Sequence, residues 1–111
     1  MTESLFAGLK VIDCASWIAG PAAATILSDF GADVIKIERP GAGDDTRTWG
    51  PPWLKDEDGR DTAEAAYYLA ANRNKRSVTI DMATPEGQQI LRDLAAQSDV
   101  VLEDYKVGQL K

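Results

Sequence analysis

Arg39 is the side chain with the most obvious chemistry in this chain. It directly follows the run Asp33-Val34-Ile35-Lys36-Ile37-Glu38 and would offer a planar, permanently charged donor fork to a phosphate or carboxylate. Its plainer reading is a surface ion pair with Glu38 or Asp44. Arg73, Lys75 and Arg76 bring three cations within four residues, a pattern that ordinarily marks a solvated turn. Trp17, Trp49, Trp53 and Tyr105 could stack on a base, line an acyl pocket, or plug the domain's own core. Cys14 reads as a small buried hydrophobe, because no histidine is present to act as its base.

Other chemistries drop out on composition. A lone cysteine and no histidine leave neither an internal disulfide nor an ordinary zinc site. A net charge of -6 is the wrong sign for neutralising nucleic-acid phosphates. The longest apolar run, Ala65 to Ala71, falls far short of the roughly 20 residues of a membrane span. With no basic start and apolar core of a secretory leader in the first residues, the expected location is cytoplasmic. At 111 residues, 44% apolar and 27% charged, the chain fits one globular unit.

These side chains need elements to hold them. Leu9 to Cys14 reads as a buried strand, Pro21 to Phe30 as a helix closed by Gly31, and Asp33 to Glu38 as a second strand. Arg39 to Trp53 is rich in glycine and proline and reads as a long loop, extended by Lys55 to Asp61. A helix over Thr62 to Ala71, a polar connector Asn72 to Arg76, a strand Ser77 to Asp81, a helix started by Thr84-Pro85-Glu86-Gly87 and a strand Val100 to Leu102 complete the pass. Alternating strands and helices predict an α/β class, a Rossmann-like parallel sheet with flanking helices.

In such sheets ligands sit beyond the carboxyl ends of the strands. That edge comprises Ser16 to Gly20, Arg39 and its loop, Ile80 to Ala83, and Asp104 to Lys106. The loop after the first strand lacks the three spaced glycines of a dinucleotide fingerprint, so Glu38 alone does not carry an NAD assignment.

Six blocks in order, Val11-Ile12-Asp13, Ala19-Gly20-Pro21, Phe30 to Glu38, Gly43-Asp44-Asp45-Thr46-Arg47, Asn72 to Ser77 and Thr84-Pro85-Glu86-Gly87, resemble the amino-terminal part of the family III CoA-transferases. The likeness covers essentially the whole chain. It implies that residues 1–111 are the CoA-binding, Rossmann-like subdomain of a longer protein that pairs as an interlocked homodimer. It also implies transfer of coenzyme A between carboxylic acids through an aspartyl-CoA thioester, with no metal. The nucleophilic aspartate is expected beyond Lys111, which would leave this chain alone inactive. A CoA-ester racemase of the same fold and a non-catalytic nucleotide-binding module are the competing readings.

Carried over residue by residue, the resemblance implies CoA contacts at Ile18, Ala19, Arg39, Ile80, Asp81, Met82, Ala83, Asp104, Tyr105 and Lys106. Three positions depart from the formate-specific branch. Ile18 replaces a glutamine, which favours acyl groups larger than formate or oxalate. Ala83 lacks a lysine. Asp104-Tyr105 replaces Asn-Phe and sets a carboxylate beside a polyanionic ligand, at a cost in attraction unless its charge points away.

Overall fold

The computed structural model describes residues 4–110. Its main sheet holds strands β1 (Lys10–Asp13), β2 (Asp33–Glu38), β5 (Lys75–Thr79) and β6 (Val100–Leu102). They run parallel in the order β5-β2-β1-β6. Between β2 and β5 the chain leaves this sheet to form a 3-10 turn (Asp45–Thr48) and an antiparallel pair, β3 (Trp53–Lys55) with β4 (Asp61–Ala65). Helices α1 (Ala19–Asp29), α2 (Ala66–Asn72) and α3 (Pro85–Ala96) complete the α/β architecture.

Alternation along the strands splits the interior in two. Val11 and Val34 pack with Ala24 and Leu27 of α1 on one face. Ile12, Cys14, Ile35 and Ile37 pack with Leu91 and Leu94 of α3 on the other. Helix α1 closes as expected: Gly31 has φ 105, its N–H reaches the Ser28 carbonyl at 3.0 Å, and the Ala32 N–H reaches Leu27 at 3.1 Å. These are the paired bonds of a Schellman ending. Helix α3 opens as expected too, with the Thr84 hydroxyl accepting from the Gly87 N–H at 3.0 Å and Pro85 in the first turn.

Four local expectations are corrected. Helix α1 starts at Ala19, two residues before Pro21, because Ile18 already accepts the first helical bond from Ala22 at 2.8 Å. The segment Thr62 to Ala71 is not one helix: its first part pairs with β3, and only Ala66 onward is helical. Residues Lys55 to Asp61 are not wholly irregular, since the Asp56 carboxylate accepts from the Asp58 and Arg60 N–H groups and folds a hairpin turn with Gly59 at φ 78. Finally, Lys75 and Arg76 belong to β5 rather than to a connector, and β5 ends at Thr79.

Candidate functional site

The strand order makes β1 the turning point of the sheet. The chain passes from β1 to β2 and β5 on one side, then returns to place β6 on the other. The loops leaving β1 and β6 therefore diverge from neighbouring strand ends, where a crevice forms. A cleft of about 310 Å³ opens there, lined among others by Trp17, Arg39, Asp45, Ile80, Asp81, Met82, Ala83 and Tyr105. A second depression of about 550 Å³ shares Ser16 and Trp17 with it and adds Ile18, Ala19, Asp104 and Lys106. All ten residues expected from the sequence thus line two depressions with a common wall.

The loops are tied to one another. Asp104 turns its carboxylate back to accept the Ser16 N–H at 3.1 Å, which joins the β6 exit to the β1 exit. Asp104 nevertheless stays in the lining of the second depression, so its carboxylate remains beside any anion bound there. The Tyr105 hydroxyl reaches the Met82 sulfur at 3.9 Å and joins the β6 exit to the β5 exit. Gly20 allows α1 to fold tightly onto the β1 exit, since a Cβ there would come within 2.2 Å of the Ala15 Cβ. Gly87 does the same on the other side: a Cβ would meet the Asp81 carbonyl oxygen at 1.8 Å. Both glycines are used for close packing of helix on loop, not for a fingerprint turn.

Beside the cleft, under α1, α2 and the Ala15 and Asp44 loops, lies a layer of buried charge. Lys75 places its ammonium 2.8 Å from Asp13, and donates also to the carbonyls of Pro21 and Ala71 and to the Asn72 side chain. Burial pulls the Lys75 ammonium pKa down, opposed by the bond it donates to Asp13 and by the Asp13 charge. Lys36, fully buried, lies 2.8 Å from Asp44 and donates to the Ala15 carbonyl at 3.2 Å. The contact to Asp44 is ionic, with angles outside hydrogen-bond geometry.

Glu38 receives donors on both oxygens. Arg47 Nε and the Asp44 N–H reach Oε1 at 2.7 and 2.8 Å; Arg47 Nη2, the Tyr68 hydroxyl and Ser77 reach Oε2. Burial alone would raise its pKa, but the bonds from Arg47, Ser77 and Asp44 outweigh burial and hold it at about 2. No lone pair is left for a ribose hydroxyl, which is the structural reason that Glu38 does not serve an NAD site.

The cleft rim is different. Arg39 has a side chain 60% exposed and pairs with Asp45, not with Glu38 or Asp44 as expected. The second oxygen of Asp45 accepts the Trp17 indole N–H at 3.0 Å. Trp17 in turn lies 5.6 Å from Trp49, and Trp49 lies 6.0 Å from Tyr67. Cys14 also borders the cleft, but it is buried, and burial with the nearby Asp13 charge pushes its thiol up to about 11. It stays a thiol, as its sequence context suggested.

Sequence reading placed Ser16 at this edge but missed Asp45 as the partner of Arg39. Asp45 lay inside a quoted block, six residues after Arg39, but no local pattern marks it as the partner. It also read the basic cluster as a turn, whereas it divides three ways: Arg73 pairs with Asp29 and Arg76 with Asp33 at the surface, and Lys75 is buried. Among the described residues no group of three or more acidic or cysteine side chains is placed to hold a metal ion. Nor is any helix there long and apolar enough to cross a membrane.

A parallel α/β sheet with a crevice at its turning point, roofed by tied loops, defines a ligand-binding class rather than a reaction. The family is given by direct comparison: the chain belongs to CoA-transferase family III, whose model matches residues 6–111. It is 48% identical over 103 residues to the human succinyl-CoA:glutarate CoA-transferase, covering 93% of this chain and 22% of that protein. It is 52% identical over 99 residues to the succinate–glutarate CoA-transferase of Agrobacterium fabrum, covering 89% of this chain and 24% of that protein. A CAIB/BAIF family protein from Brucella suis has a similar crystal structure, with a TM-score of 0.86 and 50% identity, over 98% of this chain and 28% of that one. The chain thus spans about a quarter of the length of the relatives it matches.

Proposed function

We propose that these residues form the coenzyme A cradle of an enzyme that moves CoA between carboxylic acids. Succinate and glutarate, the acids named in the similar proteins, are the substrates we assign. One observation carries this reading: four separate chain segments, nominated by the family resemblance, converge on one sheet edge around two joined depressions. Their lining suits the ligand. Trp17, Ile18, Ile80, Met82 and Tyr105 offer apolar walls for pantetheine, and each depression has one cation, Arg39 or Lys106, for phosphate. The Glu38, Asp44 and Asp45 carboxylates of the lining are paired with Arg47, Lys36 and Arg39. The Ala19 and Gly20 N–H groups at the start of α1 have no intrahelical partner and favour a developing negative charge.

In this reading the reacting carboxylate is an aspartate outside these 111 residues, in a longer, cytoplasmic protein that pairs as an interlocked homodimer. That aspartate attacks the thioester carbonyl and expels CoA thiolate, leaving a mixed anhydride. The thiolate then attacks the aspartyl carbonyl, releasing the first acid and forming aspartyl-CoA. The acceptor carboxylate reverses the sequence and leaves as the new CoA ester. The present chain contributes binding and oxyanion stabilisation, not the nucleophile.

Calorimetric titration tests the reading. CoA should bind saturably to this chain without competition from NAD, and Arg39→Ala should weaken CoA by about tenfold, the loss of one charge-assisted contact. The 111-residue chain alone shows no transferase turnover. Preference for NAD, or CoA affinity indifferent to Arg39, would remove the proposal.

A further inference from the structure

Trp17 is an oddity of the cleft mouth. Its backbone sits at φ 68, a conformation unusual for a bulky aromatic residue, and its side chain is 56% exposed. Such a backbone persists only where surrounding contacts fix it. Two contacts are present, the stack on Trp49 and the indole bond to Asp45.

Asp45 is itself held firmly. The preceding residue, Asp44, is buried; its carboxylate accepts from the Thr46 N–H at 2.9 Å and the Thr46 hydroxyl at 2.8 Å, and lies against Lys36. The Asp44 N–H is taken by Glu38, and the Asp45 carbonyl accepts from the Thr48 hydroxyl at 2.9 Å. From this anchored turn Asp45 points one carboxylate oxygen at Arg39 Nη2 and the other at the Trp17 indole. Arg39 keeps Nε and Nη1 clear of Asp45. A long guanidinium side chain at the surface otherwise spreads over many rotamers, and holding it beforehand removes that entropy from the cost of binding.

We propose that Asp45 is a positioning residue that fixes the Arg39 guanidinium and the Trp17 indole on facing walls of the cleft mouth, so that anion affinity at Arg39 depends on Asp45. The effect on affinity rests on the CoA reading above; the hold on Trp17 does not.

A mutant cycle with an optical readout tests both parts. In the ligand-free protein, the exciton circular-dichroism band of the Trp17–Trp49 pair, identified by its loss in Trp49→Phe, collapses in Asp45→Ala. In titrations, Asp45→Ala weakens CoA by about tenfold, while in an Arg39→Ala background the same change costs less than about twofold. Should Asp45→Ala not fold, Asp45→Asn, which offers one acceptor oxygen instead of two, serves in its place with the same non-additivity expected. An unchanged band together with unchanged affinity, or full additivity with Arg39→Ala, would overturn the proposal. If the unaltered protein binds no CoA, the CoA reading falls and takes the affinity part with it. The ligand-free band still decides separately whether Asp45 fixes Trp17.

Discussion

The two faces of the main sheet are built from the same strands by opposite means. Toward α3 the face is apolar from Ile12 and Ile35 to Cys14 and Ile37, with the Asp33–Arg76 pair at its exposed start. Toward α1 and α2 it begins apolar at Val11 and Val34 but ends ionic, with Asp13, Lys36, Glu38 and Lys75 side by side. Apolar packing is non-directional and tolerant of small changes in shape. Paired buried charges instead demand fixed geometry, since a partner left alone keeps its desolvation cost. The ionic half lies under the loops that must hold a defined shape.

The largest test of this contrast is Lys75→Ala. It leaves Asp13 buried and unpaired and removes the donor to two carbonyls and Asn72, so urea unfolding should show a loss of about 3–5 kcal/mol. Replacing both partners together, Asp13→Leu with Lys75→Met, should recover only the part due to the unpaired charge, because the Pro21 carbonyl, the Asn72 side chain and the Ala15 N–H stay without these partners.

Glu38 gives the next effect, read through pH. Its folded-state pKa of about 2 lies below the ordinary 4.5. Its contribution is therefore complete above that ordinary value and is lost as pH falls from there toward about 2. The loss should reach about 3 kcal/mol, and Glu38→Gln should flatten the stability curve over the same window. Equal acid slopes in the two proteins would contradict the arrangement around Glu38.

Ile12→Val, on the apolar face, should cost only about 1 kcal/mol by the same urea assay. Smallest of all is Arg76→Ala, which removes an exposed pair with Asp33 and should stay within about 0.5 kcal/mol. A cost for Ile12→Val as large as that for Lys75→Ala would erase the distinction between the faces.

The same contrast explains what the sequence made legible. β1, β2, β6, α1 and α3 announce themselves through apolar runs, a capping threonine and a closing glycine, because burial by hydrophobic contact writes itself into local composition. The start of β5 does not, because Lys75 is buried by pairing with Asp13, far away in sequence. Charge satisfied at long range looks like charge in solvent until the fold is known. The β3–β4 pair was hidden because β3 has only three residues and β4 runs through alanines straight into α2, although Asp58-Gly59 is a turn signal that could have revealed it. At the site, the loops were foreseen from strand ends and resemblance. The identity of Arg39's partner was not, since Asp45 reaches it through a turn secured by Lys36, Glu38, Thr46 and Thr48 rather than by any local pattern.

Gly87 has a wider consequence. With no room for even a methyl group against the Asp81 carbonyl, the start of α3 works as a spacer whose thickness is set by hydrogen alone. Gly87→Ala would act as a wedge driven in from behind the cleft, displacing the stretch from Asp81 to Ala83 while altering none of its side chains. Ligand affinity could thus be tuned from the far end of a lever whose fulcrum is a single backbone oxygen.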